Sequence, residues 1–529
     1  MKIDKKFVEK IQYCSDLIDR GEFNNAFNLL KESLNTLNNI ETKESIYYTL
    51  LSNIAGFFVD LGSMGKNIEA SRIGFNLMKD NKENFIEIIG ESDFYYNFAN
   101  AKASLISVSF PFDNDFASIE ELVELKNYYW KSVTSSNSEK AEHLVNLANA
   151  LKKQFRLVES IKYYDEVISL NLDIPQAWVN RSDALIMLNM ISNTYSIKML
   201  KEIKKGFSNA LNSNSVPPQW KISWASQEEQ WIKKITESQQ SLTEDESDLL
   251  DDEMTTKEYN ELSEYRKFSL IKKLTLSKHS LYCPCIGSSK DNLTIPMTTE
   301  GIVGDFVAPM ETVLNRLKSE FIFARQLYRE YYHDHEEDYV ISNESYFAEL
   351  YNDELLGIKV EKLRSAFRLC FGILDKIGVA ICELYDLYPS KDKKIYFQNF
   401  WQLDRNNRRA LFEKIKSPGL LALYSIATDL NEKKEGELSF FKKWRNKLEH
   451  EFLVVYRTEK PNDIYKSYNY MKDIIFIKES EFIKHLEQLL QITRSAIFSF
   501  VYTVRHQGMI NKDDNSIYLT NTIHPKHYD

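Results

Sequence analysis

The feature that most restricts how this chain can fold is the stretch 146–178, NLANALKKQFRLVESIKYYDEVISLNLDIPQAW. Leu147, Ala148 and Leu151, then Leu157, Ser160, Tyr164, Val167 and Leu170, repeat at helical spacing on either side of a short break. Small residues stand where two helices must approach closely, and large ones fill the space between them. Such a pair buries only part of its apolar surface, so it requires neighbours of the same kind. The composition agrees. Phe (31) and Tyr (30) are abundant while Gly (16) and Pro (11) are scarce, a balance suited to long helices with few tight turns. An all-α chain is expected.

The spacing resembles the tetratricopeptide repeat (TPR), although Leu172 stands where that family usually carries Pro. Weaker copies follow the same pattern: Gly21, Phe23, Ala26 and Leu30; Ala55, Phe58 and Gly62; Phe98 and Ala99; Phe207 and Ala210. Residues 1–235 are therefore expected to form a TPR-like α-solenoid, a sensor or interaction domain that would receive a protein or peptide trigger. Trp220, Trp224 and Trp231 share one helical stripe and are expected to cap its end. Seven acidic residues between Glu244 and Glu253 mark 236–258 as a linker.

Beyond that linker, helices are expected at about 360–387, 406–430, 437–457 and 478–508, the second broken at Ser417-Pro418-Gly419. The third reads ELSFFKKWRNKLEHEFLVVYR. Phe441, Trp444, Leu448, Phe452 and Val455 form its apolar stripe, and Arg445, Asn446 and His450 fall off that stripe. On a helix Asn446 and His450 lie about 40° apart and share a face, while Arg445 is offset from His450 by about 140° and must reach around. A guanidinium, an amide and an imidazole on one short stretch suit RNA cleavage. RNA carries its own nucleophile in the ribose 2′-OH, so a proton carrier near neutrality and a cation on the transition state suffice.

The run Arg445-Asn446-Lys447-Leu448-Glu449-His450 resembles the R-x4-H motif of HEPN domains, and its setting is similar to the LA2681-like HEPN group, over approximately 259–510. The resemblance implies a helical bundle that pairs with a second copy to form a metal-independent endoribonuclease. Arg445 and His450, with Asn446, would be its catalytic residues, and prokaryotic antiviral or abortive-infection defence its setting. No cofactor or metal is implied. Two other functions remain open: a noncatalytic TPR/HEPN adaptor, and a toxin silenced by a separate nucleotidyltransferase.

The net charge of −10 argues against nonspecific coating of nucleic acid, yet 401–460 holds 13 Lys and Arg against 9 Asp and Glu. Lys442, Lys443, Lys447, Arg408 and Arg409 are the candidate RNA-binding residues. His279 with Cys283 and Cys285 falls short of a structural zinc set, and the run from His333 to Asp338 reads as an exposed polar turn. No P-loop, G-x-G-x-x-G, G-x-S-x-G or H-E-x-x-H is present. Five cysteines, no long apolar run and no signal-like N-terminus fit a cytoplasmic protein, with residues 511–529 as a tail.

Overall fold

The computed structural model describes residues 5–40, 44–109, 114–136, 138, 140–192, 196–240, 254–295, 298–299, 309–333, 336–345, 353–389, 394–461, 473–510 and 519–520. Among these the chain is all-α. Its strands are two short pairs, an antiparallel one (β1, Thr298–Thr299, with β4, Leu519–Thr520) and a parallel one (β2, Leu453–Tyr456, with β3, Ile475–Lys478). Two compact units divide the chain, Met1–Lys153 and Gln154–Asp529. The boundary falls inside the 146–178 helix pair. The acidic run 244–253 lies outside the described residues, as does the tail apart from β4.

The first unit consists of α1 (Lys5–Asp19), α2 (Phe23–Asn38), α3 (Ser45–Met64), α4 (Ile68–Asp80), α5 (Lys82–Ile89), α6 (Glu91–Ser109), α7 (Phe116–Thr134) and α8 (Ala141–Lys153). Consecutive helices pack on one another, α1 on α2, α3 on α4 and α6 on α7. The small residues singled out from the sequence sit at close approaches. Gly62 faces Ser71 with no room for a β-carbon, and Ala26, Ala55 and Ala99 are fully buried. Gly21 turns the chain from α1 into α2 at φ +76°, a left-handed conformation that glycine adopts without strain.

The second unit opens with α9 (Leu157–Ser169), α10 (Pro175–Ser192), α11 (Ile197–Leu211) and α12 (Pro218–Gln240). Trp220 on α12 is 43% exposed, and Trp224 and Trp231 are half-buried. Then come α13 (Thr256–Glu261), α14 (Glu264–Ile271), α15 (Pro309–Tyr332), α16 (Glu336–Glu344), α17 (Ile358–Tyr385), α18 (Asn406–Lys414), α19 (Pro418–Asp429), α20 (Phe440–His450) and α21 (Glu479–Ile510). The long helices α15, α17 and α21 pack mutually, α19 lies along α21, and α9 also packs on α21. Phe367, Leu374, Phe482, Leu486, Leu490 and Phe498 form the dry centre of this bundle.

One local expectation holds and one is corrected. The segment 406–430 is broken at Ser417-Pro418-Gly419, where a new helix starts: Ser417 accepts from the Leu420 N–H at 3.3 Å, and Pro418 occupies the first turn, where no N–H is needed. The helix expected to run to 457 ends at His450. Its apparent apolar stripe continues past that point by chance. Phe452 is 52% exposed, and Val455 belongs to β2, paired with Ile477.

Candidate active site

Helix α20 is held in rotation by aromatic packing. Phe441 and Trp444 point inward among Phe367 on α17 and Phe482 and His485 on α21, with ring centroids 5.2–6.0 Å apart. The helix begins after a tight passage from α19, through a 3-10 turn at Glu432–Lys434 and then Gly436. A β-carbon at Gly436 would overlap the carbonyl oxygens of Thr428 and Asp429. These constraints fix which residues α20 turns away from the core.

Arg445, Asn446 and His450 line one cavity of about 380 Å³, together with Lys442 and Glu451 from the same segment and Tyr396 and Asn399 from the loop before α18. The Arg445 guanidinium lies over the rings of Phe371 and Tyr396, 5.9 Å from each centroid. Its Nε is buried without a hydrogen-bond partner. Within electrostatic reach of it, Asp375 accepts from the Phe397 N–H at 2.8 Å. Burial pushes the Asp375 carboxyl above its ordinary value, against the pull of that N–H and of Arg445, Lys376 and Lys442. His450 is the exposed last residue of the helix, and Asn446 is half-buried. A guanidinium cushioned on ring faces, an amide, an ammonium and an exposed imidazole thus surround a space able to take a phosphate.

The remaining candidate RNA-binding residues are placed differently. Lys443 is exposed on α20, whereas Lys447 is buried and pairs with Glu451. Arg408 donates to the backbone carbonyls of Phe400, Trp401 and Leu387 at 2.8–3.2 Å, which ties the loops before α18 together. Arg409 donates to the Leu403 carbonyl at 3.0 Å. Neither Arg408 nor Arg409 lines the cavity of Arg445 and His450. Tyr396, Asn399 and Asp375 escaped the sequence reading because 51 to 75 positions separate them from His450, a distance that leaves no local spacing signal.

Elsewhere, Cys285 Sγ lies 3.7 Å from His279 Nδ1. The hydrogen bond from Cys283 holds the Cys285 thiol down to about 4, with burial opposing and His279 assisting. Asp338 accepts from Lys362 Nζ at 2.6 Å, while Asp334 and His335 lie outside the described residues. Among the described residues no three His, Cys, Asp or Glu side chains converge as a metal-binding group, and no helix is long and apolar enough to cross a membrane.

No curated protein sequence matches the chain. Among solved structures, the TPR2AB-domain:pHSP90-complex of yeast Sti1 is 13% identical over 44% of this chain and 86% of that chain, with a TM-score of 0.17. Residues 304–507, the segment that holds α15, α17, α20 and α21, match the LA2681-like HEPN family.

Proposed function

We propose that the second unit is an endoribonuclease whose site is the cavity of Arg445, Asn446 and His450. The convergence of these three residues with Lys442 on one cavity, inside a HEPN-matching segment, carries the reading. In the reaction, the ribose 2′-oxygen bonds to phosphorus as its proton passes to an imidazole of His450. The P–O5′ bond then breaks, and the leaving oxygen takes a proton. Arg445 balances the negative charge that builds on the phosphorane oxygens, and Asn446 orients the phosphate. The products are a 2′,3′-cyclic phosphate and a free 5′-hydroxyl.

One imidazole per chain serves one proton transfer at a time. A second copy of the chain across a twofold axis would supply the acid while the first supplies the base. Among the described lining residues the one carboxylate, Glu451, is engaged by Lys447, so the donor set favours cleavage without a bound metal. The repeat-like helices would receive a protein or peptide trigger that adjusts the pairing of the two copies, a design suited to antiviral defence.

The test incubates purified full-length chain with single-stranded RNA and analyses the fragment ends. Fragments with 2′,3′-cyclic phosphate ends are expected, formed equally in EDTA, and reduced by about 100-fold or more in Arg445→Ala and in His450→Ala. Mixing wild-type with His450→Ala chains should lower activity more steeply than the wild-type fraction. Undiminished cleavage by both variants would overturn the site, and loss on chelation restored by Mg2+ would overturn the metal-free mechanism.

A further inference from the structure

Next to the candidate active site, and sharing Asn399 with it, lies a second cavity of about 480 Å³, within the ~300–1,000 Å³ of small-molecule sites. Its aromatic wall is Trp401 and Tyr424, each 2% exposed, with centroids 5.2 Å apart. Both polar tips are already engaged. Trp401 Nε1 donates to the Phe397 carbonyl at 2.9 Å, and the Tyr424 hydroxyl accepts from Lys434 at 2.8 Å.

Two glutamines on the same wall differ. Gln398 is 3% exposed, and its Nε2 is buried without a hydrogen-bond partner. Gln402, held in left-handed backbone at φ +47°, leaves Oε1 buried without a partner. Buried amide groups in folded proteins are nearly always paired, so a donor and an acceptor left unpaired in one cavity indicate a ligand that completes them. A donor and an acceptor among the lining of one cavity match what the edge of a nucleobase presents, an acceptor and a donor. Arg405 and Lys433 at the cavity wall supply positive charge for flanking phosphates, with Asp404 the single acid among the lining residues.

We propose that this cavity is the base-reading subsite for a nucleotide next to the scissile phosphate of single-stranded RNA. The inference rests on the ribonuclease reading above, because Asn399 joins the two cavities. Gln398 and Gln402 read the base edge, the Trp401 and Tyr424 rings form the apolar wall it rests against, and Arg405 and Lys433 hold the backbone. An unpaired strand is required, since only an unstacked base can enter.

The experiment uses the full chain carrying His450→Ala, which separates binding from cleavage. Short single-stranded RNAs bearing 2-aminopurine at successive positions are titrated, with an abasic residue at the same positions as comparator. A fluorescence change confined to one position, and binding weakened about fivefold or more by the abasic residue, by Gln398→Met and by Lys433→Ala, is the expected result. In the cleaving parent, Gln398→Met should also flatten the base preference read from fragments of randomised RNA. Lys433 is exposed, so Lys433→Ala decides the matter if Gln398→Met fails to fold. Equal binding and unchanged preference in the variants, with RNA still cleaved by the parent, would overturn the subsite and leave the ribonuclease standing. Absence of both cleavage by the parent and base-dependent binding would overturn the two together.

Discussion

Replacement of Arg156 by Met should loosen the second unit at the end of α19, a few residues before the active-site helix begins. Arg156 is 2% exposed and grips Glu159 with two bonds, Nε to Oε1 at 2.9 Å and Nη2 to Oε2 at 2.6 Å. Its Nη1 bonds Asp429 and reaches Ser425 Oγ at 3.4 Å. Asp429 is 1% exposed. Burial alone would lower the basicity of the guanidinium, but the two carboxylates raise it above its ordinary value. Removing one partner of a buried ion pair costs about 3–5 kcal/mol, and here two carboxylates are stranded, which places the expected loss near the upper end. Urea unfolding of the full chain, read together with hydrogen exchange at the amides of 418–429, measures it. Combining Arg156→Met with Glu159→Leu and Asp429→Leu removes all three charges and should recover most of the stability. A single variant within about 1 kcal/mol of wild type, or a triple variant as unstable as the single one, would refute the reasoning.

Gly436→Ala should destabilise by about 1–3 kcal/mol, because its β-carbon meets two backbone carbonyls that cannot rotate away; an unchanged unfolding midpoint would contradict the close approach. Asp291→Asn tests the pH dependence of the buried pair with Arg325, whose Nη1 and Nη2 lie 2.9 and 2.7 Å from its oxygens. Burial raises the Asp291 carboxyl, but Arg325, the Leu276 N–H and Arg266 more than reverse this, so it sits below its ordinary value. The stability it contributes is therefore present above the ordinary carboxylate pKa of about 3.9 and is lost as pH falls through the lower folded value. The variant should be about 3 kcal/mol less stable than wild type at pH 7, with the gap closing toward pH 3 in urea titrations; a constant gap would contradict the assignment.

The helical class, the small residues at Gly62 and Ala148, and the placement of Arg445, Asn446 and His450 on one helix were all legible from spacing alone. The helix end was not. Phe452 and Val455 prolong the spacing of Phe441 and Trp444, and what stops the helix is the pairing of Leu453–Tyr456 with Ile475–Lys478, a contact between distant segments. Arg408 illustrates a second limit. A basic residue in a basic stretch reads as a phosphate ligand, yet its guanidinium closes carbonyls that only the folded loops bring together. The walls of the candidate site were hidden for the same reason, since Tyr396 and Asn399 reach it from a loop and Phe371 and Asp375 from α17.

The resting place of Arg445 has a mechanical meaning. A carboxylate would clamp a guanidinium in one orientation, because the two planar groups match only when their forks align. Ring faces such as those of Phe371 and Tyr396 attract it with little directional preference. The charge can slide over this platform without first breaking a directed bond. A group so mounted is able to follow a phosphate as its oxygens spread from a tetrahedron to a trigonal bipyramid, behaving as a bearing where a salt bridge would behave as a bolt.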